Sequence, residues 1–192
     1  MGTLGFYFDQ TICTGCRACQ VACKDKNNLE IGVLFRNVRT FEVGVFPQTK
    51  AYHYSGTCNH CANPACVPVC PVGAMFVAED GTVQHDDELC IGCLSCIQAC
   101  PYSVPQYIES LGIVQKCDSC KQLRDNGWNP ACVDACPMRA LEFGDLDELR
   151  AKHGDDVVSE LPILPSAGMT EPSLLISCKA CAELPDFREK QV

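Results

Sequence analysis

The sequence predicts an α+β fold of short strands, short helices and many loops, gathered around its cysteines. Three observations predict it. Eighteen of the 192 residues are Cys, a density at which the cysteines set the architecture. Aromatic residues make up only 7% of the chain, with one Trp, so a large conventional core is not expected. Cross-links or bound metal must then supply part of the folding energy. Finally, sixteen of the eighteen cysteines fall into four runs of four.

Each element follows from those runs. Gly5-Phe-Tyr-Phe-Asp9 alternates weakly and reads as a strand leading into the first run, Cys13-x2-Cys16-x2-Cys19-x3-Cys23. Residues 17–27 read as a short helix carrying Cys19 and Cys23 on neighbouring turns, and Gly15 suits a tight backbone approach to sulfur. Residues 29–57 hold no Cys and read either as a two-strand insertion packed on its own chain or as a docking surface for a partner. The second run, Cys58-x2-Cys61-x4-Cys66-x3-Cys70-Pro71, encloses His60, expected as a hydrogen-bonding neighbour of the site rather than a ligand. Two short apolar pieces flank Asp80-Gly81, a hairpin signal. The third run is Cys90-x2-Cys93-x2-Cys96-x3-Cys100-Pro101. The fourth is Cys117-x2-Cys120, eleven residues expected as a loop, then Cys132-x3-Cys136-Pro137, with Trp128 expected as a packing residue. Leu141-Glu-Phe143 reads as a strand, and Asp145 with Glu148 as a capping box for a two-turn helix ending near Gly154. Residues 155–192 read as an extended tail with a leftover pair, Cys178 and Cys181, outside the ligand sets.

The third run is the bacterial ferredoxin spacing C-x2-C-x2-C-x3-C-P, whose fourth Cys ligates a second iron–sulfur cluster. Disulfides would need a secretory context, and Met1–Asp9 shows neither a basic region nor an apolar stretch of signal length. Structural zinc pairs C-x2-C units into closed tetrahedra, which runs of three Cys at x2 spacing fit poorly. Sixteen thiolates satisfy four [4Fe-4S] clusters. Runs two and three pair as neighbours, and runs one and four pair across them. The fold is therefore expected as two ferredoxin-like (2×[4Fe-4S]) units, cluster-stabilised and loop-rich, one inserted in the other. The outer unit spans 1–57 plus 101–154, the inner one 58–100, and the tail 155–192.

With a formal net charge of −9, to which each oxidised cluster adds about −2, nucleic acid is not an expected partner. No stretch approaches 18 apolar residues, so no membrane span is expected. No Ser/His/Asp arrangement or phosphate-binding Gly loop is visible, and no catalytic residue is expected.

The whole pattern resembles a known family, the DMSO reductase iron–sulfur (B) subunits and their relatives, the four-cluster electron-transfer subunits of molybdenum oxidoreductases. The motifs that carry the resemblance are Cys13-Thr-Gly-Cys16, Cys58-Asn-His-Cys61, Asn63-Pro-Ala-Cys66, Cys90-Ile-Gly-Cys93, Ala99-Cys100-Pro-Tyr102, Pro105-Gln-Tyr107, Lys116-Cys117-Asp118 and Arg139-Ala-Leu-Glu-Phe-Gly144. The resemblance implies four ligand sets. Cluster 1 takes Cys13, Cys16, Cys19 and Cys136; cluster 2 takes Cys23, Cys117, Cys120 and Cys132. Cluster 3 takes Cys58, Cys61, Cys66 and Cys100; cluster 4 takes Cys70, Cys90, Cys93 and Cys96. Some relatives lack a Cys at the position of Cys93 and hold three irons there; its presence here implies four. The resemblance also implies an electron relay between a quinol-oxidising membrane anchor, or another donor, at cluster 4 and a molybdenum or tungsten bis-pterin catalytic subunit at cluster 1. It implies attachment to the membrane through partners, on the outer face by co-export with the catalytic subunit, with a cytoplasmic location as the alternative. A polyferredoxin-like subunit of a hydrogenase or formate–hydrogen lyase complex is the rival within the same class.

Overall fold

The computed structural model describes residues 3–191. Its elements are β1 (Leu4–Asp9), α1 (Ala18–Lys26), β2 (Asn37–Val43), β3 (Lys50–Gly56), β4 (Met75–Val77), β5 (Val83–His85), α2 (Ser95–Ala99), β6 (Gln106–Ile108), β7 (Ile113–Gln115), α3 (Lys121–Asp125), α4 (Ala131–Asp134), β8 (Leu141–Asp145), α5 (Leu146–His153), β9 (Leu174–Ser177) and β10 (Arg188–Lys190). Small sheets, few helices and long connecting loops make it the mixed, loop-rich architecture that the cysteine density predicts.

β1 is the centre of the molecule. It pairs antiparallel with β8, Phe6 opposite Phe143, and parallel with β9, Phe6 opposite Leu174. Strand alternation sends Phe6 and Phe8 to one face and Tyr7 to the other. Phe6 and Phe8 join Val38, Phe41, Val43, Tyr52 and Tyr54 of β2 and β3 in the main core, together with Cys19, Cys132 and Cys136. Tyr7 packs on the opposite side with Leu149 of α5 and Leu175. A sizeable aromatic core therefore exists despite the low aromatic content. Three strands bring Phe6, Phe8, Phe41, Tyr52 and Tyr54 together, and buried cysteines complete the packing.

The Cys-free stretch forms the β2–β3 hairpin, and its inward residues pack on this chain. Only its tip points away, with Val45 and Phe46 exposed. The Asp80-Gly81 signal corresponds to the β4–β5 hairpin, in which Val77 faces Val83. Asp80 also reaches Arg124 of α3 at 3.0 Å, tying that hairpin to the fourth run. At the start of α5, Asp145 Oδ1 accepts from the N–H groups of Asp147 (2.9 Å) and Glu148 (3.3 Å), satisfying two orphan donors of the first turn. No helix among the described residues is long and apolar enough to cross a membrane.

Three local expectations differ from the structure. Residues 155–192 are not an extended tail. β9 joins the central sheet beside β1, β10 pairs antiparallel with β2, and Leu174, Leu175, Ile176, Cys181 and Ala182 are buried. The apolar run Leu174–Ile176 is short and set among prolines, and what makes it a strand is the free edge of β1. The eleven residues within the fourth run are not all loop, because α3 opens directly after Cys120. Trp128 is 69% exposed and packs into no core of this chain.

Candidate iron–sulfur cluster sites

All four runs use one backbone device. The residue before the second Cys has a positive φ in each: Gly15 at 69°, His60 at 44°, Gly92 at 66° and Ser119 at 56°. That turn aims a main-chain N–H back at the first sulfur, as Ser119 N does toward Cys117 Sγ at 3.3 Å. At Gly15 a Cβ would also fall 2.5 Å from His53 Nδ1, so two constraints select glycine there. The Cys-Pro ends repeat as well. Gly73, Ser103 and Arg139, each three residues after a Cys, have φ of 69°, 53° and 53°. Their N–H groups close turns onto Cys70 O, Cys100 O and Cys136 O at 3.3, 3.1 and 3.1 Å. Non-Gly residues in the left-handed region cost of order 1 kcal/mol each and gather at functional sites.

These turns and the helices after them bring the thiols together in groups. Cys13, Cys16, Cys19 and Cys136 line one cavity, walled by Phe8, Val38, Leu141 and Met138. Cys70, Cys90, Cys93 and Cys96 line another, walled by Met75, Ile91, Leu94 and Val114. Between them, Cys23 lies in the electrostatic reach of Cys117, Cys132 and Cys120, and Cys66 in that of Cys58, Cys100 and Cys61. Neighbouring groups lie in electrostatic reach of one another, Cys132 of Cys19 and Cys58 of Cys117, and Cys66 packs with Cys70, Cys90 and Cys96 around Met75. Cys178 couples to Cys181 and Glu183, and Cys181 is buried in the main core that also holds Cys19, Cys132 and Cys136.

The surroundings of the sulfurs are graded. Burial pushes the Cys66 thiol up to about 12 and those of Cys61 and Cys120 up to about 11. At neutral pH these thiols are protonated until metal replaces the proton, so loading the site releases protons. Cys93 is shifted the other way, its thiolate favoured by hydrogen bonds from the Ser95 side chain and N–H. Further donors approach the sulfurs: Ala140 N to Cys136 at 3.3 Å, Val114 N to Cys90 at 3.5 Å and Asn27 Nδ2 to Cys23 at 3.6 Å. Ser55 Oγ lies 3.4 Å from Cys19 Sγ. His60 is fully buried, its Nδ1 accepting from Val83 N at 3.1 Å, and the expected link to a sulfur is not among its hydrogen bonds. Burial, with Lys116 and Arg124 nearby, keeps its imidazole neutral.

The residues fit [4Fe-4S] clusters. The donors are thiols alone, four to a group, set in apolar cradles with N–H groups turned toward sulfur. Sequence reasoning passed over Arg36, which is fully buried among the sulfurs of Cys132, Cys19, Cys117 and Cys23. In the sequence it is an ordinary charged residue before a strand.

Two family models, each described as a 4Fe-4S dicluster domain, match residues 49–146 and 12–74. With sixteen thiols in four runs, they account for four [4Fe-4S] clusters. The B chain of the anaerobic dimethyl sulfoxide reductase of Escherichia coli (strain K12) is 46% identical over 184 residues, covering 92% of this chain and 89% of that protein. The protein of the same name from Haemophilus influenzae is 44% identical over 193 residues, covering 96% and 93%. The sulfite dehydrogenase B subunit of Allochromatium vinosum is 37% identical over 170 residues, covering 77% and 71%. The chain therefore belongs to the DMSO reductase iron–sulfur (B) subunit family, the cluster-bearing electron-transfer subunits of molybdenum oxidoreductases.

Proposed function

We propose that this chain is the electron relay of an anaerobic respiratory oxidoreductase and has no catalytic centre of its own. It connects a quinol-oxidising membrane anchor, or another donor, to a molybdenum or tungsten bis-pterin catalytic subunit. The ligand sets are Cys13, Cys16, Cys19 and Cys136; Cys23, Cys117, Cys120 and Cys132; Cys58, Cys61, Cys66 and Cys100; and Cys70, Cys90, Cys93 and Cys96. Residues 1–57 with 101–154 form the unit of the first two sets, and residues 58–100 the inserted unit of the last two. Each bound cluster takes up and releases one electron at a time.

The observation that carries this reading is exposure along the row of thiols. Two cysteines are exposed, Cys16 and Cys93, and they belong to the first and last groups. The cysteines of the two middle groups are buried or half-buried. A relay needs its inner carriers shielded and its terminal ones close to partners, and that is the gradient seen. Around Cys93 the surface exposes Val72, Leu89 and Ile91 beside the acidic Asp87 and Glu88, an amphipathic patch that suits a partner. The kinship to the B chain of dimethyl sulfoxide reductase supports the molybdenum partner. Attachment to the membrane then runs through the anchor, and the outer face is reached by co-export with the catalytic subunit.

Cys93→Ser tests the assignment. The fourth cluster is expected to change, with a three-iron form as the natural product, while the other three signals persist. Transfer from the anchor should stop. Spin counting by EPR that returns four unaltered four-iron clusters would overturn the ligand sets.

A further inference from the structure

Arg36 precedes β2 and is 1% exposed. Its Nη1 donates to Ser55 O at 3.0 Å and to Ser55 Oγ at 3.1 Å, on the adjoining strand β3. The guanidinium carbon stands 4.7 Å from the ring centre of Phe6. Its Nε and Nη2 are buried without an oxygen or nitrogen partner, and the guanidinium lies within hydrogen-bonding reach of the Cys132 sulfur. None of the ion pairs among the described residues includes it. A buried charge is strongly unfavourable unless something of opposite sign offsets it. The groups that offset it are sulfurs: Cys132 first, then Cys19, Cys117 and Cys23.

Three of the four sulfurs belong to the second ligand set and one to the first. We propose that Arg36 is a positioning residue of the relay, a permanent positive charge held at the junction of the first and second clusters, which raises the reduction potential of the second and, less strongly, of the first. The proposal rests on the ligand sets given above. Reduction adds negative charge to a cluster, and a fixed cation in a low-dielectric site favours the reduced state. Three of the four sulfurs that the guanidinium faces belong to the second set, which ranks the two clusters. Arginine suits the post better than lysine. Its planar fork donates one nitrogen to Ser55, still reaches the Cys132 sulfur, and keeps its charge at every working pH. Ser55 Oγ serves both sides, since it also lies 3.4 Å from Cys19 Sγ.

The test is a potentiometric EPR titration of the cluster-loaded chain in wild-type, Arg36→Gln and Arg36→Lys forms, with iron content measured on each. Cys132→Ser and Cys13→Ser identify the signals of the second and first sets. In Arg36→Gln the second midpoint should move negative by at least about tenfold in the reduction equilibrium, ~59 mV for one electron. The first should move the same way by less, and the fourth should stay. Arg36→Lys, which keeps the charge, should recover most of the shift. Full iron content with unchanged midpoints in Arg36→Gln overturns the proposal, as do equal shifts of all four clusters. Loss of iron from both Arg36 variants also overturns it, because the residue would then serve assembly. If Cys132→Ser and Cys13→Ser remove the same signal, the ligand sets fail and the proposal falls with them.

Discussion

Around Cys13–Cys19 and around Cys90–Cys96 the backbone follows the same path. Gly15 and Gly92 have φ of 69° and 66°, and Arg17 and Leu94 have φ of 63° and 65°. What stands behind each turn differs. Cys19 and Cys136 of the first set are buried in one core with Phe6, Phe8, Phe41, Tyr52 and Tyr54. Cys96 of the last set shares its core with just two other buried residues, Met75 and Val114. The first set has a buried guanidinium at its inner side, whereas Cys96 is surrounded by Cys90, Cys70 and main-chain donors. The comparison separates two jobs. A local turn arranges the sulfurs, and the tertiary surroundings decide how firmly the site is held and how it is charged.

The largest test of that separation is removal of iron. Chelation under anaerobic conditions should strip hydrogen-exchange protection from β4, β5 and α2, whose small core depends on the metal. The β8–β1–β9 sheet should keep much of its own, because apolar packing supports it. Equal loss in both regions would break the comparison. Next in size is packing. Phe8 is 1% exposed and Phe76 is 41% exposed. Phe8→Ala should cost about 3–5 kcal/mol in urea unfolding of the loaded chain, and Phe76→Ala within about 0.5. The smallest effect sharpens the electrostatic side. Ser95→Ala removes a donor from the exposed Cys93 sulfur and should move the fourth midpoint negative, by less than about tenfold in the reduction equilibrium. A fourth midpoint that stays in place would mean that solvent supplies the missing hydrogen bond.

β1, β8, the hairpin at Asp80-Gly81, the α1 helix and the α5 cap are legible from local pattern, because each depends on residues within a few positions of one another. The same holds for the cysteine runs. Non-glycine residues hid the repeat at the turns. Gly15 and Gly92 advertise a positive φ, but His60 and Ser119 adopt one with no sign in their residue type. There the grip of neighbouring structure overrides local preference. Trp128 was legible as a large apolar residue and illegible as an exposed one, since exposure belongs to the assembled surface.

By itself, then, the sequence determined the chemistry: thiolate donors, their number and their spacing, which are local and covalent. Closing each set across the chain was left to the tertiary structure, as where Cys136 meets Cys13, and so was drawing β9 and β10 out of a proline-rich stretch to fill the edges of β1 and β2. Arg36 is the clearest case. Its charge is written in the chain, but its burial comes from Phe6, Ser55 and four sulfurs supplied by distant segments. Burial is what turns an ordinary arginine into a charge that the nearby sulfurs must answer, because only away from water is a charge felt at full strength.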